Sequence, residues 1–199
     1  MRLRARAAAA AALALLAAES ASAEGSVPSR LYMGAGLAVS EFESEHGGIG
    51  YGTTSLGWQL YGGLQVRDRV GVELALDHLP SIEPGTVLGS GIERLRISAE
   101  HSSVTLRGVY SVSLQEVLLR GPRIDVFATI GAARSVEKRS VLELTTAQRT
   151  SAAERDTGLV IGAGVTLELE RVRVRTYLQS ADRRDGTLDS VGAAVEFRF

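Results

Sequence analysis

Two short stretches of the sequence bring together side chains that could do chemistry. His101 lies two residues before Ser103, and serine catalysis needs a base within hydrogen-bond reach of the hydroxyl and a third group to orient the base. The stretch 41–46, Glu-Phe-Glu-Ser-Glu-His, offers carboxylate and imidazole ligands but lacks the glycine-turned spacing of a calcium loop. Both are therefore interpreted as solvated loop or loop-to-strand residues, and we expect no catalytic residue, metal ion or cofactor.

The composition excludes several other classes of function. The chain has 199 residues, no Cys, 22 Lys+Arg against 23 Asp+Glu and a formal net charge of -1. Without thiols, the chain has no disulfides, zinc-thiolate sites, Cys nucleophiles or Cys-linked lipid anchors. The charge balance gives no electrostatic footprint for nucleic acid. A hydrophobic content of 45% is too high for a disordered tail, and the length suits one domain.

The first residues have the order of a secretory signal peptide. Three Arg within the first six residues precede an apolar run over 7–18, and small residues follow at 21–23. The apolar run is shorter than the roughly 20 residues that a membrane-spanning helix needs. The sequence therefore predicts export, with a signal peptide at 1–23, a short N-terminal segment at 24–30 and one domain at 31–199.

Beyond the signal, apolar and polar residues alternate with the period of two that is typical of a β-strand. One face of these segments carries no charged residue, whereas the other face carries nine, which is too complete a segregation for chance. The pattern predicts eight strands, at 31–40, 56–66, 70–77, 103–112, 124–130, 159–168, 172–179 and 190–199.

The connections between these strands indicate whether the apolar face points into the barrel or towards lipid. In a soluble barrel the apolar face points inward, whereas in an outer-membrane barrel it faces lipid. Tight turns alternate with long polar stretches, which are expected to be loops, and this asymmetry favours the membrane alternative. The turns are at 67–69 and 170–171, and the long stretches are at 41–54, 80–102 and 134–156.

Two of the long stretches keep some alternation, at 95–97 and 141–144. The hypothesis is that strands here project past the membrane and present an edge to which another protein adds a strand.

The end of the chain resembles the last strand of bacterial outer-membrane barrels. Residues 191–199 alternate and end in Phe197-Arg198-Phe199, while 31–36 and 161–165 resemble the Gly-x-Gly strands of small OmpA-like, OmpX-like and opacity-type barrels. The resemblance implies an all-β fold, an eight-stranded antiparallel up-and-down transmembrane β-barrel in the bacterial outer membrane. It also implies contact with outer-membrane lipid and lipopolysaccharide, and a barrel-assembly machinery that recognises Phe197 and Phe199.

An eight-stranded barrel is just wide enough for side chains to fill its interior, so it makes a poor open pore. The charges of the polar face are therefore predicted to form ion pairs in the lumen, and the inner-face glycines to leave them space. The candidates for these lumen ion pairs are Glu73, Asp77, Arg107, Asp125, Glu168, Arg173, Arg175, Glu196 and Arg198. The outward aromatic residues are expected to be Trp58, Tyr110, Phe197 and Phe199.

We expect a monomeric, non-enzymatic protein with an envelope-structural or surface-interaction role and a surface protein as a partner. Three alternatives stay open. Outer-membrane lipid A deacylases carry a His-x-Ser pair that His101 and Ser103 match, but their motif continues with Asn where this chain has Val104. A soluble periplasmic barrel would bind a ligand against an inward apolar face, and a minor pore would conduct ions through the lumen.

Overall fold

The computed structural model describes residues 30–46, 49–82, 86–88, 94–114, 122–143, 148–169, 172–184 and 186–199. These residues form nine β-strands. No helix among them is long and apolar enough to cross a membrane. The strands are β1 (Arg30–His46), β2 (Ile49–Gln65), β3 (Val70–Ile82), β4 (Thr86–Leu88), β5 (Arg94–Ser113), β6 (Arg123–Glu143), β7 (Gln148–Leu169), β8 (Val172–Arg183) and β9 (Gly186–Arg198).

Eight of the nine strands close into an antiparallel barrel. Apart from β4, each strand pairs with the next along the chain, so that β3 pairs directly with β5, and β1 pairs with β9. The three-residue β4 pairs only with the outer end of β5. The predicted fold class is therefore confirmed, with β4 as an addition that the sequence did not indicate.

The strand register gives the stagger of the barrel. Following paired residues across all eight strands from Tyr32 leads back to β1 at Phe42, so the shear number is 10 (42 minus 32). The path runs through Gly63, Glu73, Arg107, Gly131, Val160, Ala181 and Leu188. Strands of such a barrel tilt by about 40° from its axis, which leaves an interior that side chains can fill.

Large apolar side chains cover the outside of the barrel. Leu60, Leu74 and Val126 are 46%, 52% and 40% exposed, whereas Gln59 and Glu73 are 1% exposed in the interior. The apolar face therefore points outward, which is the polarity of a barrel in lipid and the reverse of a soluble ligand-binding barrel.

The exposed apolar side chains form a belt of defined height. On β2 and the residue that follows it, they run from Leu56 to Val66. At about 3.3 Å per residue and a tilt of about 40°, this run rises about 25 Å, the height of the lipid-facing belt in outer-membrane barrels. We call this belt the apolar band. Trp58 and Phe197 lie outward in it as predicted, but Tyr110 is only 8% exposed and does not belong to an exposed girdle.

The prediction of long loops was wrong for most of the residues concerned. β1 and β2 stay paired to His46 and Ile49, and β6 and β7 stay paired to Glu143 and Gln148. These strand ends lie beyond the apolar band, where water solvates both faces, so their sequence needs no apolar alternation. The described part of the third stretch, 80–102, is paired as well, through the end of β3, through β4 and through β5 from Arg94 onward.

Candidate functional site

In the half of the lumen nearer to Arg30 and Phe199, one carboxylate accepts hydrogen bonds from two arginines. Glu73 Oε2 accepts from Arg107 Nε at 2.7 Å, and its Oε1 accepts from Arg175 Nη1 at 2.5 Å and from the Tyr32 hydroxyl at 2.8 Å. Glu73, Arg107 and Arg175 are each 3% exposed or less. Each charge is therefore compensated inside the barrel, as buried charges must be.

A second group of ion pairs lies beside the first. Arg173 donates to Asp125 Oδ2 at 2.5 Å and to Glu196 Oε1 at 2.8 Å. Arg175 links the two groups, because its Nη1 lies 3.9 Å from Glu196 Oε2 and its guanidinium stacks 4.0 Å from the Phe127 ring centroid. The network therefore crosses the lumen from β3 and β5 to β8 and β9.

The remaining candidates differ in their environment. Glu168 lies 3.8–3.9 Å from Arg173 and Arg198 near the lumen entrance, where it is 26% exposed. Asp77 takes part in none of the ion pairs found among the described residues, and instead accepts hydrogen bonds from Gln59 Nε2 at 2.5 Å and Ser103 Oγ at 3.2 Å. All nine candidates lie in the inward register, but Asp77 is held by neutral donors.

Tyrosine rings fill part of the lumen, a role that the alternation of the sequence does not indicate. Tyr61 lies opposite Gly34 in the register, and Tyr32 lies opposite Gly63. A Cβ at either glycine would come within 2.3 Å of the facing tyrosine Cζ. Tyr177 and Gly192 repeat the arrangement between β8 and β9. Gly34, Gly63 and Gly192 therefore accommodate tyrosine rings, where the sequence predicted space for charged groups.

An apolar cluster closes the lumen at its extracellular half. It consists of Leu79, Ala133, Val160, Ala181 and Leu188, each 8% exposed or less. The cavity beside this cluster, which also contacts Asp77 and Gln179, has a volume of about 30 Å³, enough for about one water molecule.

A charged group lies beyond the apolar cluster and beyond the apolar band. Glu137 accepts from Arg139 Nη2 at 2.8 Å and also pairs with Arg183. Burial acts to raise the pKa of Glu137, but hydrogen bonds from the two guanidinium groups outweigh it and hold that pKa below its ordinary value. Burial, reinforced by the charge of Arg183, lowers the pKa of His101 to about 4. At neutral pH the carboxylate is therefore ionised and the imidazole neutral.

His101 and Ser103 both lie on the lumen side of β5. His101 is 2% exposed, and the Ser103 hydroxyl donates to Asp77. The outward positions on this part of the strand are Ser102 and Val104 instead. The pair therefore faces away from the lipid that a lipid A deacylase must reach. The metal-ligand candidates beyond Glu41 in 41–46 have side chains outside the described residues.

A sheet projects from the extracellular end. β6 and β7 stay paired to Glu143 and Gln148, but β8 ends at Arg183, and its pairing with β7 begins only at Val160. The side of β7 that faces away from β6 therefore has no described strand partner over 148–157. Side chains are exposed from Arg149 through Arg155. We call this segment, 148–157, the β7 edge.

The predicted edge lies elsewhere than expected. Residues 95–97 and 141–144 were expected to present it, and the strands do project. However, β6 pairs with β5 on one side and β7 on the other, and the outer end of β5 also pairs with β4. The interior of the projecting sheet therefore contains both predicted segments where they are described, and β7 forms an open edge of this sheet.

Residues 8–199 match the family model of the outer membrane protein β-barrel domain. The chain belongs to this family. This outer-membrane barrel protein therefore resides in the bacterial outer membrane, and its apolar band lies in the lipid. No match was found among curated proteins.

Solved structures of outer-membrane proteins share the fold. Ail, the attachment invasion locus protein of Yersinia pestis, is 14% identical with a TM-score of 0.58 over 87% of this chain and 100% of that chain. OprG from Pseudomonas aeruginosa is 13% identical with a TM-score of 0.57, over 86% and 95%. The N-terminal β-barrel domain of Pseudomonas aeruginosa OprF is 12% identical with a TM-score of 0.55, over 84% and 97%. At these identities the likeness concerns the fold alone.

Proposed function

We propose that this outer-membrane barrel protein is a non-enzymatic surface-interaction protein that binds an extended segment of a partner along the β7 edge. The single observation that carries the proposal is the unpaired side of 148–157, where the next strand of the barrel has already ended. An open edge presents a row of N–H and C=O groups to which another strand can pair. A filled lumen suits an anchor for this sheet better than a pore.

The composition of the β7 edge supports strand addition. The segment Gln-Arg-Thr-Ser-Ala-Ala-Glu-Arg-Asp-Thr contains no Pro and carries charges of both signs. Natural edges avoid pairing by proline, short length, bulges or charged side chains, and over its ten residues this edge carries charges but has no proline, bulge or shortening. A segment added here would run antiparallel to β7, in line with β8. Ail, which shares the fold, has been crystallised in complex with the heparin analogue sucrose octasulfate.

Two neighbouring proline substitutions test the proposal. Successive N–H groups of a strand point to opposite neighbours, so one of Ala152 and Ala153 directs its N–H to β6 and the other to the open edge. Peptides selected from a random library on the protein in lipid nanodiscs are expected to protect β7 amides from hydrogen exchange. Of the substitutions Ala152→Pro and Ala153→Pro, the one that removes the N–H directed to the open edge should weaken peptide binding at least tenfold. The β6–β7 hairpin should persist in this variant. Peptides that protect other strands, or that bind this variant as well as the unmodified protein, would contradict the proposal.

The export and assembly roles also remain proposals. Cleavage of 1–23 would give a mature protein that begins at Glu24, which N-terminal sequencing of the outer-membrane form checks. Phe197 and Phe199 are 51% and 75% exposed at the end of β9, where the assembly machinery could recognise them. Removal of Phe199 should slow assembly in cells more than refolding in detergent, and equal effects would exclude this role. Outer-membrane lipid, including lipopolysaccharide, is proposed to cover the apolar band.

A further inference from the structure

Two carboxylates face each other on the outside of the barrel, at the extracellular limit of the apolar band. Glu41 on β1 and Asp189 on β9 are directly paired in the register, and both are exposed. Asp189 accepts a hydrogen bond from Ser180 Oγ at 2.6 Å. None of the ion pairs among the described residues supplies a cation to either carboxylate. Like charges directly opposite one another destabilise a strand pair, so this position favours a cation from outside the chain.

An apolar groove runs below these carboxylates. It has a volume of about 740 Å³ and crosses β7, β8, β9 and β1 within the apolar band. Its floor is made of small side chains, Ala163, Thr176 and Ala193, while Leu37 and Leu178 stand beside them at 58% and 61% exposure. The groove can therefore receive one large apolar side chain from a neighbour.

The opposite side of the barrel has the complementary features. Arg134 on β6 points outward and is exposed, and it takes part in none of the ion pairs of the described residues. Leu106 on β5, which is 59% exposed, lies below Arg134 because the register pairs Val104 with Arg134. β1 and β6 are separated by three strands in either direction around the eight-stranded ring. Arg134 and Glu41 are therefore on opposite sides of the barrel.

The two sides also match in height. With eight strands and a shear number of 10, each step to the next strand along the register raises the position by about 1.25 residues. Arg134, Glu41 and Asp189 then lie within about 3 Å of one another along the barrel axis. Leu106 and the groove residue Ala193 also agree within about 3 Å. Copies inserted in one membrane share their orientation, so these heights meet directly.

We propose that neighbouring copies of this chain associate side by side in the outer membrane. Leu106 of one copy enters the groove of the next, while Arg134 faces Glu41 and Asp189. Because the two surfaces differ and lie on opposite sides, the contact is head-to-tail and builds rows, and does not close into a two-fold dimer. This departs from the monomer expected from the sequence, and it does not depend on the partner proposed for the β7 edge.

Cysteine cross-linking tests the geometry directly, because the natural chain has no Cys. Arg134→Cys and Asp189→Cys proteins, mixed in lipid vesicles and oxidised, should give cross-linked dimers at least tenfold above either protein alone. His78→Cys, on β3 near the same height, mixed with Arg134→Cys, measures random collision. Equal yields in the test and collision mixtures, or efficient cross-linking of Arg134→Cys with itself, would overturn the head-to-tail contact.

Exchanging the charges of Arg134 and Asp189 tests whether a neighbouring copy or a bound ion lies against the carboxylates of Glu41 and Asp189. Arg134→Glu alone and Asp189→Arg alone should each reduce association, measured by energy transfer between labelled copies, at least fivefold. The chain that carries both substitutions should recover it, since complementarity is restored with exchanged signs. Loss of association on removing divalent ions, with no recovery in the double variant, would show that bound ions occupy the site and would overturn the proposal. Unheated gel mobility confirms that every variant is folded.

Discussion

Substitution of Glu73 by Gln tests whether the ion network holds the lumen together. Gln keeps the size of the side chain but removes the charge that faces Arg107 and Arg175, both nearly inaccessible to water. Loss of one partner from a buried ion pair typically costs about 3 to 5 kcal/mol, because the other charge stays buried. Arg175 keeps its 3.9 Å approach to Glu196 and its stacking on Phe127. We therefore expect the free energy of unfolding to fall by about 3 kcal/mol, at the lower end of that range.

The chain offers a matched control for this measurement. Glu100 lies 3.9 Å from Lys138, and the two side chains are 40% and 67% exposed. Exposed pairs of this kind contribute less than about 1 kcal/mol, so Glu100→Gln should be nearly neutral. Both variants would be unfolded with denaturant in phospholipid vesicles, with the folded fraction read from the mobility of unheated samples on gels. If Glu73→Gln costs no more than Glu100→Gln, the buried pairs do not stabilise the barrel and the reasoning fails.

Three further predictions concern the two faces and the charged group beyond the band. Leu60→Arg should cost about 2 to 4 kcal/mol in vesicles and Gln59→Leu less, and the opposite order would mean that the faces are reversed. Gly63→Ala, whose Cβ would lie 2.3 Å from a tyrosine ring, should lower the thermal midpoint, whereas Gly62→Ala, with its nearest atom at 3.8 Å, should not. Since the folded pKa of His101 is about 4 and its unfolded value is near 6.5, stability is retained above pH 6.5 and falls as the pH drops towards 4. His101→Gln should flatten that decline in denaturant titrations, and an unchanged slope would contradict it.

The parts of the fold that lie in lipid could be predicted because lipid imposes a pattern on the sequence. Leu56 to Val66 must alternate, since one face meets hydrocarbon and the other a packed polar lumen. Beyond the band the constraint disappears, because water accepts polar side chains on both faces. Stretches such as 134–156 therefore look like loops, although their backbones continue the pairing of β6 and β7. The β7 edge was missed for the same reason, since only the lengths of β7 and β8 reveal it.

The sequence could predict which charged residues face the lumen, but not which of them pair with one another. The period of two assigns Glu73 and Arg107 to the inner face, but it gives no information on which carboxylate meets which arginine across the barrel. That depends on the shear number, which fixes the residues that share a level. Glycine and tyrosine across from one another, as in Gly63 and Tyr32, would have been a usable signal once the register of β1 and β2 was known.

The packed lumen stabilises the barrel wall from which the β7 edge projects. Ion pairs tie β3 and β5 to β8 and β9 across the barrel, so the wall is braced from within. β5, β6 and β7 continue out of that braced wall without a break, and the projecting sheet therefore inherits its register from strands fixed in the membrane. An edge held in this way loses little conformational entropy when a partner strand pairs with it, and preorganisation of this kind strengthens binding. A wide, water-filled lumen would remove the internal bracing, so the same packing that argues against a pore favours a role in surface recognition.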